Sequence, residues 1–470
     1  MTLKVMNTLG RRVQRFVPLK KKRVRLYTCG PTVWDYAHIG NFRTYVFQDV
    51  LRRYLRYKGY RVFQVTNITD VDDKTIRQSR AEGVTLRDYT RRYEEAYFAD
   101  IAALNIQKAE RYPRATEHIK EMVALVRRLM RRGVAYQAEG SVYFDISKFK
   151  KYGKLSRARP SELKAGARVD SDEYSKDEAR DFVLWKGWRP EDGDVFWETP
   201  IGKGRPGWHI ECSAMSMKYL GTTFDVHSGG EDLIFPHHEN EIAQSEAATG
   251  KPFVRFWLHS GMLQVQGRKM AKSLGNFLTL RDLLSKGHDP LAVRYLLLSA
   301  HYRAQLNFSE EGLADGEKAL EALRATLQRL RIVEASGRGR NAELRKVLSR
   351  EEQEFERAMD DDLNTPGALA ALHRIARAVN RAIDQGRVSV EDAAVVSQTI
   401  SKLDRVLGIF VDQAEPVSLP PEAELLIRQR DEARTRKDWV TADKLREQLS
   451  AMGITIEDTP TGTVWKRRSR

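Results

Sequence analysis

Cysteine is nearly absent from this chain of 470 residues, which contains only Cys29 and Cys212. Two cysteines so far apart in sequence cannot staple a small secreted scaffold, and a reducing compartment, expected to be the cytoplasm, suits them best. Long apolar runs are missing too. None approaches the roughly 18 residues that a membrane-spanning helix requires, so a soluble protein is expected. Acidic residues are missing from the first 34 positions, a bias shared with organelle transit peptides. That reading is set aside because residues 3–26 carry no small-residue cleavage pattern. The first chemical motif already begins at Cys29, leaving little that could be removed. There is no fixed-period repeat.

Charge is plentiful but unbalanced: 80 Lys and Arg against 64 Asp and Glu, a formal charge of +16. The excess suits a polyanionic partner, because binding phosphates releases counterions. It suits solubility equally well. A hydrophobic fraction of 41% is enough for conventional cores, and the length points to about three domains at roughly 150 residues each.

Residues 24–28 form a short β-prone run that ends at Cys29-Gly30-Pro31, a strand entering a tight loop. Over residues 42–58 the apolar side chains Phe42, Tyr45, Val46, Val50, Tyr54 and Leu55 recur at helical spacing, and Gly59 ends the run. Residues 60–65 are β-prone again. Strand, loop, helix, strand is a βαβ unit, and it predicts a parallel sheet whose ligands bind beyond the carboxyl ends of its strands. Residues 106–204 mix basic helical stretches with Pro- and Gly-broken segments and read as an insertion. After Asp289-Pro290 the chain turns helical, with exposed linkers at 336–340 and 412–421. The end is a charged helical region, 424–452, followed by a hairpin around Asp458-Thr459-Pro460-Thr461-Gly462.

His38-Ile39-Gly40-Asn41 lies where the first loop becomes a helix, and free N–H groups and the helix dipole favour anions there. Donors at His38 and Asn41 can hold a triphosphate, while Gly40 lets a nucleotide ring approach the backbone. The same four residues also suit an ordinary helix cap. Lys269-Met270-Ala271-Lys272-Ser273 sits between Gly267 and Gly275. Two lysines on a loop can stabilise charge growing on a departing pyrophosphate, although a solvated basic loop is the commoner meaning. His237 and Glu241 are four apart and face the same way on a helix, which makes half a metal site. Cys212 and Cys29 would complete a Cys, Cys, His, Glu set suited to zinc, while buried cysteines and His-rich helices more often only pack or face solvent.

Together these residues resemble the class I aminoacyl-tRNA synthetases, whose His-Ile-Gly-His and Lys-Met-Ser-Lys-Ser signatures match residues 38–41 and 269–273, with Asn41 and Ala271 as departures. Tyr27-Thr28-Cys29-Gly30-Pro31-Thr32-Val33, Gly207-Trp208-His209-Ile210-Glu211-Cys212-Ser213-Ala214-Met215 and residues 235–241 are similar to the cysteinyl-tRNA synthetase branch. The resemblance implies an α/β fold: a class I Rossmann-like parallel-sheet core with an inserted domain, then a helical bundle and a small α+β C-terminal module. It divides the chain into core halves at 1–105 and 205–288, an acceptor-binding insertion at 106–204, a stem-contact region at 289–335, a helical tRNA-binding domain at 341–411 and an anticodon-binding module at 422–470.

The same resemblance implies one zinc ion on Cys29, Cys212, His237 and Glu241, with the substrate thiolate joining the metal. It implies catalytic His38, Asn41, Lys269 and Lys272. ATP, taken with Mg2+ as substrate, would meet these four together with Gly40 and Asp232. Cysteine would sit near Cys29, Thr69, Trp208 and His227. Thr69, Trp208, His227 and Asp232 suit structural roles nearly as well. Zinc bonds thiolate far better than a serine hydroxyl, so selection by bonding removes the need for an editing domain. Basic residues of Asp289-Pro290-Leu291-Ala292-Val293-Arg294-Tyr295 and Ala300-His301-Tyr302-Arg303 would hold tRNA phosphates. Trp465 is either a stacking surface for an anticodon base or part of the module's core. The expected partners are cysteine tRNA, L-cysteine and ATP, with no membrane, and the expected state is a monomer. Two relatives of different purpose remain open: a mycothiol-pathway cysteine ligase, which lacks the terminal module, and a noncatalytic tRNA-binding paralogue, which has no use for the lysines or the ligands.

Overall fold

The computed structural model describes residues 2–158, 164–169, 180–270, 275–332, 340–410, 421–459 and 462–467. A hairpin of β1 (Lys4–Asn7) and β2 (Arg12–Arg15) comes first. The expected βαβ unit follows as β3 (Arg23–Thr28), α1 (Ile39–Tyr57) and β4 (Arg61–Thr66). α1 buries Phe42, Tyr45, Val46, Val50, Tyr54 and Leu55, the residues whose period announced it. It begins on a reciprocal cap: Asn41 N donates to His38 Nδ1 at 3.2 Å, and His38 N donates to Asn41 Oδ1 at 3.0 Å. α2 (Asp73–Glu82) and α3 (Leu86–Ala103) complete the first half of the core.

The insertion holds α4 (Ile119–Arg131) and a sheet of β5 (Ala135–Ala138), β6 (Ser141–Phe144), β7 (Lys164–Val169), β8 (Arg180–Gly187) and β9 (Gly204–Pro206). Asp73, opening α2, fastens it to the core through Lys186 at 2.8 Å and through Arg205. The chain then returns with α5 (Trp208–Leu220), β10 (Phe224–Gly230), α6 (His237–Thr249) and β11 (Val254–Ser260). The main sheet is parallel throughout, in the order β11-β10-β3-β4. Its strands are buried along most of their length, polar residues such as Thr28, Thr66, Asp225 and His227 included, as strands covered on both faces are.

β12 (Leu263–Val265) and β13 (Arg268–Lys269) lead into the lysine loop. After α7 (Leu280–Ser285) and α8 (Pro290–Leu298), β14 (Leu306–Phe308) pairs with β12. α9 (Glu310–Ile332), α10 (Ala342–Asp360), α11 (Thr365–Asp384) and α12 (Val390–Leu407) form the helical bundle. Its core is continuous with that of the sheet domain. α13 (Pro421–Thr435), α14 (Trp439–Ala451) and the hairpin of β15 (Ile454–Thr459) and β16 (Gly462–Arg467) close the chain over a small core of Ala423, Leu449, Ile454 and Ile456. Most of both linkers and the side chain of Trp465 lie outside the described residues. Among those residues no helix is long and apolar enough to cross a membrane.

One expectation is corrected here. Arg294, taken with its neighbours as a phosphate contact, is 0 % exposed and cannot meet a tRNA. Its guanidinium donates to Asp49 Oδ2 at 2.6 Å, Leu407 O at 2.7 Å and Leu104 O at 2.9 Å, tying the bundle to α1. Arg303 donates to Asp362 Oδ2 at 2.6 Å and remains part-exposed.

Candidate active site and metal centre

The carboxyl ends of β3, β4, β10 and β11 open into a cleft of about 450 Å³. Its lining includes Cys29, His38, Gly40, Asn41, Trp208, Cys212, Asp232 and His237. β3 delivers Cys29, and the following Gly30 is required: a Cβ there would stand 2.0 Å from Asn67 O, where the loop after β4 crosses. α5 supplies Trp208 and Cys212, and α6 supplies His237 and Glu241 one turn apart.

Cys29, Cys212, His237 and Glu241 each offer a ligand atom within 4.8 Å of the other three, and all four are buried. Among the described residues no hydrogen-bond network completes this cluster. Glu241 Oε2 accepts from His227 Nε2 at 3.0 Å, but Oε1 has no hydrogen-bond partner, although His237 Nε2 is 3.2 Å away. Burial, then the nearby Cys212, pushes the Glu241 carboxyl up to about 8. Burial also lifts the Cys29 thiol well above its ordinary value. At Cys212 burial is the largest influence and opposes ionisation, but hydrogen bonds from Cys29 and Tyr27 and the nearby His227 together outweigh it, and the thiol is pulled down. A cation at the centre would remove all of these penalties at once, and two thiols, an imidazole and a carboxylate are a zinc donor set.

A second overlapping set exists: Cys29, His227, His238 and Glu241 also lie within 4.8 Å of one another. His238 is already committed on both sides, with Nε2 3.3 Å from Cys29 Sγ and Nδ1 2.7 Å from His259 Nε2. His227 holds Glu241 and stacks on Trp257 at 4.5 Å. Neither His227 nor His238 lines the cleft, whereas Cys29, Cys212 and His237 do. The first set thus has three of its members on the cleft and the second only Cys29.

Thr69 is behind the wall rather than in it: its hydroxyl donates to Glu211 Oε2 at 2.9 Å and accepts from Asn67 Nδ2 at 3.1 Å. Sequence reasoning passed over His209, whose Nδ1 is 3.0 Å from His237 Nδ1, and His238 and His259 as an orienting chain behind Cys29. Their only signal was adjacency to predicted ligands in Trp208-His209 and His237-His238.

In the same cleft His38 spends Nδ1 on its cap, so Nε2 is the ring nitrogen the cap leaves over. Burial lowers the His38 ring to about 4, which keeps it neutral near pH 7. Gly40 faces the lysine loop: a Cβ there would sit 3.2 Å from Met270 Cε. Lys269 ends β13, but its side chain and all of Lys272 lie outside the described residues. Asp232 lines the cleft just past β10.

Residues 15–318 match the family model for the catalytic domain of class I (C) tRNA synthetases, 354–411 the DALR domain, and 417–465 the cysteinyl-tRNA ligase anticodon binding domain. Among curated relatives, the cysteine–tRNA ligase of Solibacter usitatus is 47% identical across 100% of both chains, and that of Protochlamydia amoebophila is 46% identical across 99% of this chain and 98% of its own. Among solved structures, Mycobacterium tuberculosis methionyl-tRNA synthetase in complex with methionyl-adenylate aligns over 82% of this chain and 90% of its own, with a TM-score of 0.57 at 17% identity. Agrobacterium radiobacter LeuRS in a ternary complex aligns over 84% of each chain, with a TM-score of 0.59 at 12% identity. At such identities these two speak for the fold alone.

Proposed function

Because the chain belongs to the cysteine–tRNA ligase family of class I synthetases, we propose that it joins L-cysteine to cysteine tRNA at this cleft, using ATP with Mg2+ and one zinc ion. The observation that carries the reading is the meeting of Cys29, Cys212, His237 and Glu241, from three separate elements, at a cleft that Cys29, Cys212 and His237 line together with His38, Gly40 and Asn41. Zinc bound there would supply a Lewis acid that keeps a thiol as thiolate and bonds sulfur much better than a serine oxygen. The chain's own residues do the rest. His227 fixes Oε2 of Glu241 and leaves Oε1 for coordination, while His209 holds His237 by its other ring nitrogen.

With the substrate sulfur at the four ligands, its carboxylate extends along the cleft toward the helix start at His38 to Asn41. The carboxylate oxygen attacks the α-phosphorus of ATP, pyrophosphate leaves, and cysteinyl-adenylate forms. The N–H of Gly40 and the neutral His38 ring donate to phosphate oxygens there, and Lys269 and Lys272 offset the charge gathering on the pyrophosphate. Asp232 accepts from the ribose hydroxyls. A hydroxyl at the 3′ end of the tRNA then attacks the activated carbonyl and AMP departs. The match at 417–465 supports tRNA as the acceptor.

The test is cysteine-dependent pyrophosphate exchange without tRNA, followed by charging of cysteine tRNA with cysteine and with serine. Exchange and selective charging are expected. Exchange without charging would favour an amino-sugar acceptor, and no exchange by zinc-loaded protein would leave a tRNA-binding paralogue.

A further inference from the structure

One wall of the cleft has no part in the chemistry so far. Trp34 and Tyr36, in the loop after β3, and Lys74, in the first turn of α2 after β4, line it together with Tyr93 of α3. Cations and rings alternate along this rim. Lys74 Nζ lies 5.5 Å from the Trp34 ring centre, the Arg281 guanidinium 4.9 Å from that of Tyr36, and the Arg92 guanidinium 5.4 Å from that of Tyr93. Tyr36 meets Tyr93 edge-on at 5.1 Å. Buried Tyr89 braces the row, meeting Tyr93 at 5.1 Å and donating to Trp34 O at 2.7 Å. Glu82 pairs with Arg92 and Asp100 with Arg281, so the rim is polar and balanced rather than a bare positive patch. Tyr36 remains 37 % exposed beside the cleft, so its ring is within reach of a ligand there.

Lys74 and Tyr93 stand on α2 and α3, after β4, whereas Asp232 and the lysine loop follow β10 and β11 on the other side of β3; Trp34 and Tyr36 share the loop between β3 and α1 with His38. Asp73, beside Lys74, is one of the residues that fasten the insertion to the core. Rings interleaved with cations are the composition that holds unpaired nucleotides, since every base offers a face to stack on and every linkage a phosphate.

We propose that Trp34, Tyr36, Tyr93 and Lys74 form a stacking platform for the unpaired 3′ end of the acceptor tRNA. The proposal rests on the tRNA acceptor argued above. The platform steers the terminal nucleotide past the insertion and into the cleft, so it serves transfer and not activation.

The experiment compares wild type, Tyr36→Ala, Tyr36→Phe and Lys74→Ala as full-length zinc-loaded proteins. Binding is measured for intact cysteine tRNA and for the same tRNA lacking its unpaired 3′ nucleotides, alongside tRNA-independent pyrophosphate exchange and single-turnover transfer from preformed adenylate. Wild type should prefer the intact tRNA by about 5- to 100-fold, the range expected when one base loses its stacking partner. Tyr36→Ala should lose most of that preference and slow transfer at subsaturating tRNA by a similar factor. Tyr36→Phe should restore both, and exchange should stay within about twofold of wild type. A preference for intact tRNA that survives in Tyr36→Ala and Lys74→Ala overturns the platform, and so does a loss of exchange parallel to the loss of transfer, which would assign the rings to ATP. A wild type that exchanges pyrophosphate but charges no tRNA overturns the underlying acceptor reading instead.

Discussion

Two clusters of buried polar side chains lie on either side of α1, and they differ in whether the chain completes them. Toward the helical bundle, Asp49 Oδ2 accepts from both Arg294 and Arg53, at 2.6 and 2.7 Å, while Oδ1 takes Gln107 N at 3.0 Å. The remaining guanidinium donors reach carbonyls of Leu104, Asn105, Arg405 and Leu407. No atom of Asp49, Arg53 or Arg294 is left unsatisfied. At the cleft floor, by contrast, Glu241 Oε1, His227 Nδ1 and His209 Nε2 have no hydrogen-bond partner. A buried polar group without a partner costs about 1–3 kcal/mol, so an unfinished cluster persists only where something else finishes it. The first cluster is architecture, and the second is a socket.

The largest effect should follow from damaging the socket. Cys212→Ser exchanges a soft ligand for a hard one, and losing one of four donors to a site with about 10–16 kcal/mol of total binding energy should weaken zinc retention by about 10²–10³-fold. Cysteine-dependent exchange should fall with it, while the unfolding midpoint of metal-free protein barely moves, since Ser fills the same space. Metal analysis after dialysis against a chelator, joined to the exchange assay, reads both. Retained zinc with normal exchange would make the cluster as self-sufficient as its counterpart.

Damage to the complete cluster should look the opposite way. Arg294→Met leaves Asp49 buried without its strongest partner, and removing one member of a buried pair typically costs about 3–5 kcal/mol. Denaturant unfolding should show that loss, whereas zinc content per folded chain and the metal-dependent step should be unchanged. A drop in zinc affinity comparable to that of Cys212→Ser would show that the two clusters are not independent.

A smaller effect separates ligands from the residues that aim them. His227→Phe removes the donor that holds Glu241 Oε2 and should weaken zinc binding by about 10–100-fold. His227→Gln keeps a donor of similar reach and should lose less. If both lose as much as Cys212→Ser, His227 belongs among the ligands, and the alternative set with His238 is the occupied one.

The two clusters were also unequally legible in the sequence. The β3-loop-α1-β4 unit could be read because strand and helix periods are local, and His237 with Glu241 because four residues make a helical turn. That Cys29 and Cys212 join them rested on family resemblance, since no local rule brings a strand end beside a distant helix. The complete cluster was misread altogether. Arg294 looked like a surface cation because an arginine's burial depends on partners such as Asp49, far away in sequence. The orienting histidines and the aromatic rim escaped for the same reason: each is assembled from several loops, and no segment carries its pattern alone.

The His38–Asn41 cap at the nucleotide end is intermediate between the two, closed upon itself at Nδ1 but with Nε2 left over by the cap. Its titration tells which cluster it resembles. The ring has an ordinary value of 6.5 when exposed and is lowered to about 4 by burial in the folded chain. The unfolded chain therefore binds the extra proton first, so the stability contributed by the neutral ring is full above pH 6.5 and is lost as pH falls toward 4. At about pH 5.5 that loss should amount to roughly 1 kcal/mol. His38→Asn keeps a good capping side chain but cannot titrate, so the stability difference between wild type and variant should shrink by that amount between about pH 7 and pH 5.5. Parallel unfolding curves across that range would mean that the folded ring keeps its ordinary value, solvated rather than held by burial at the cleft.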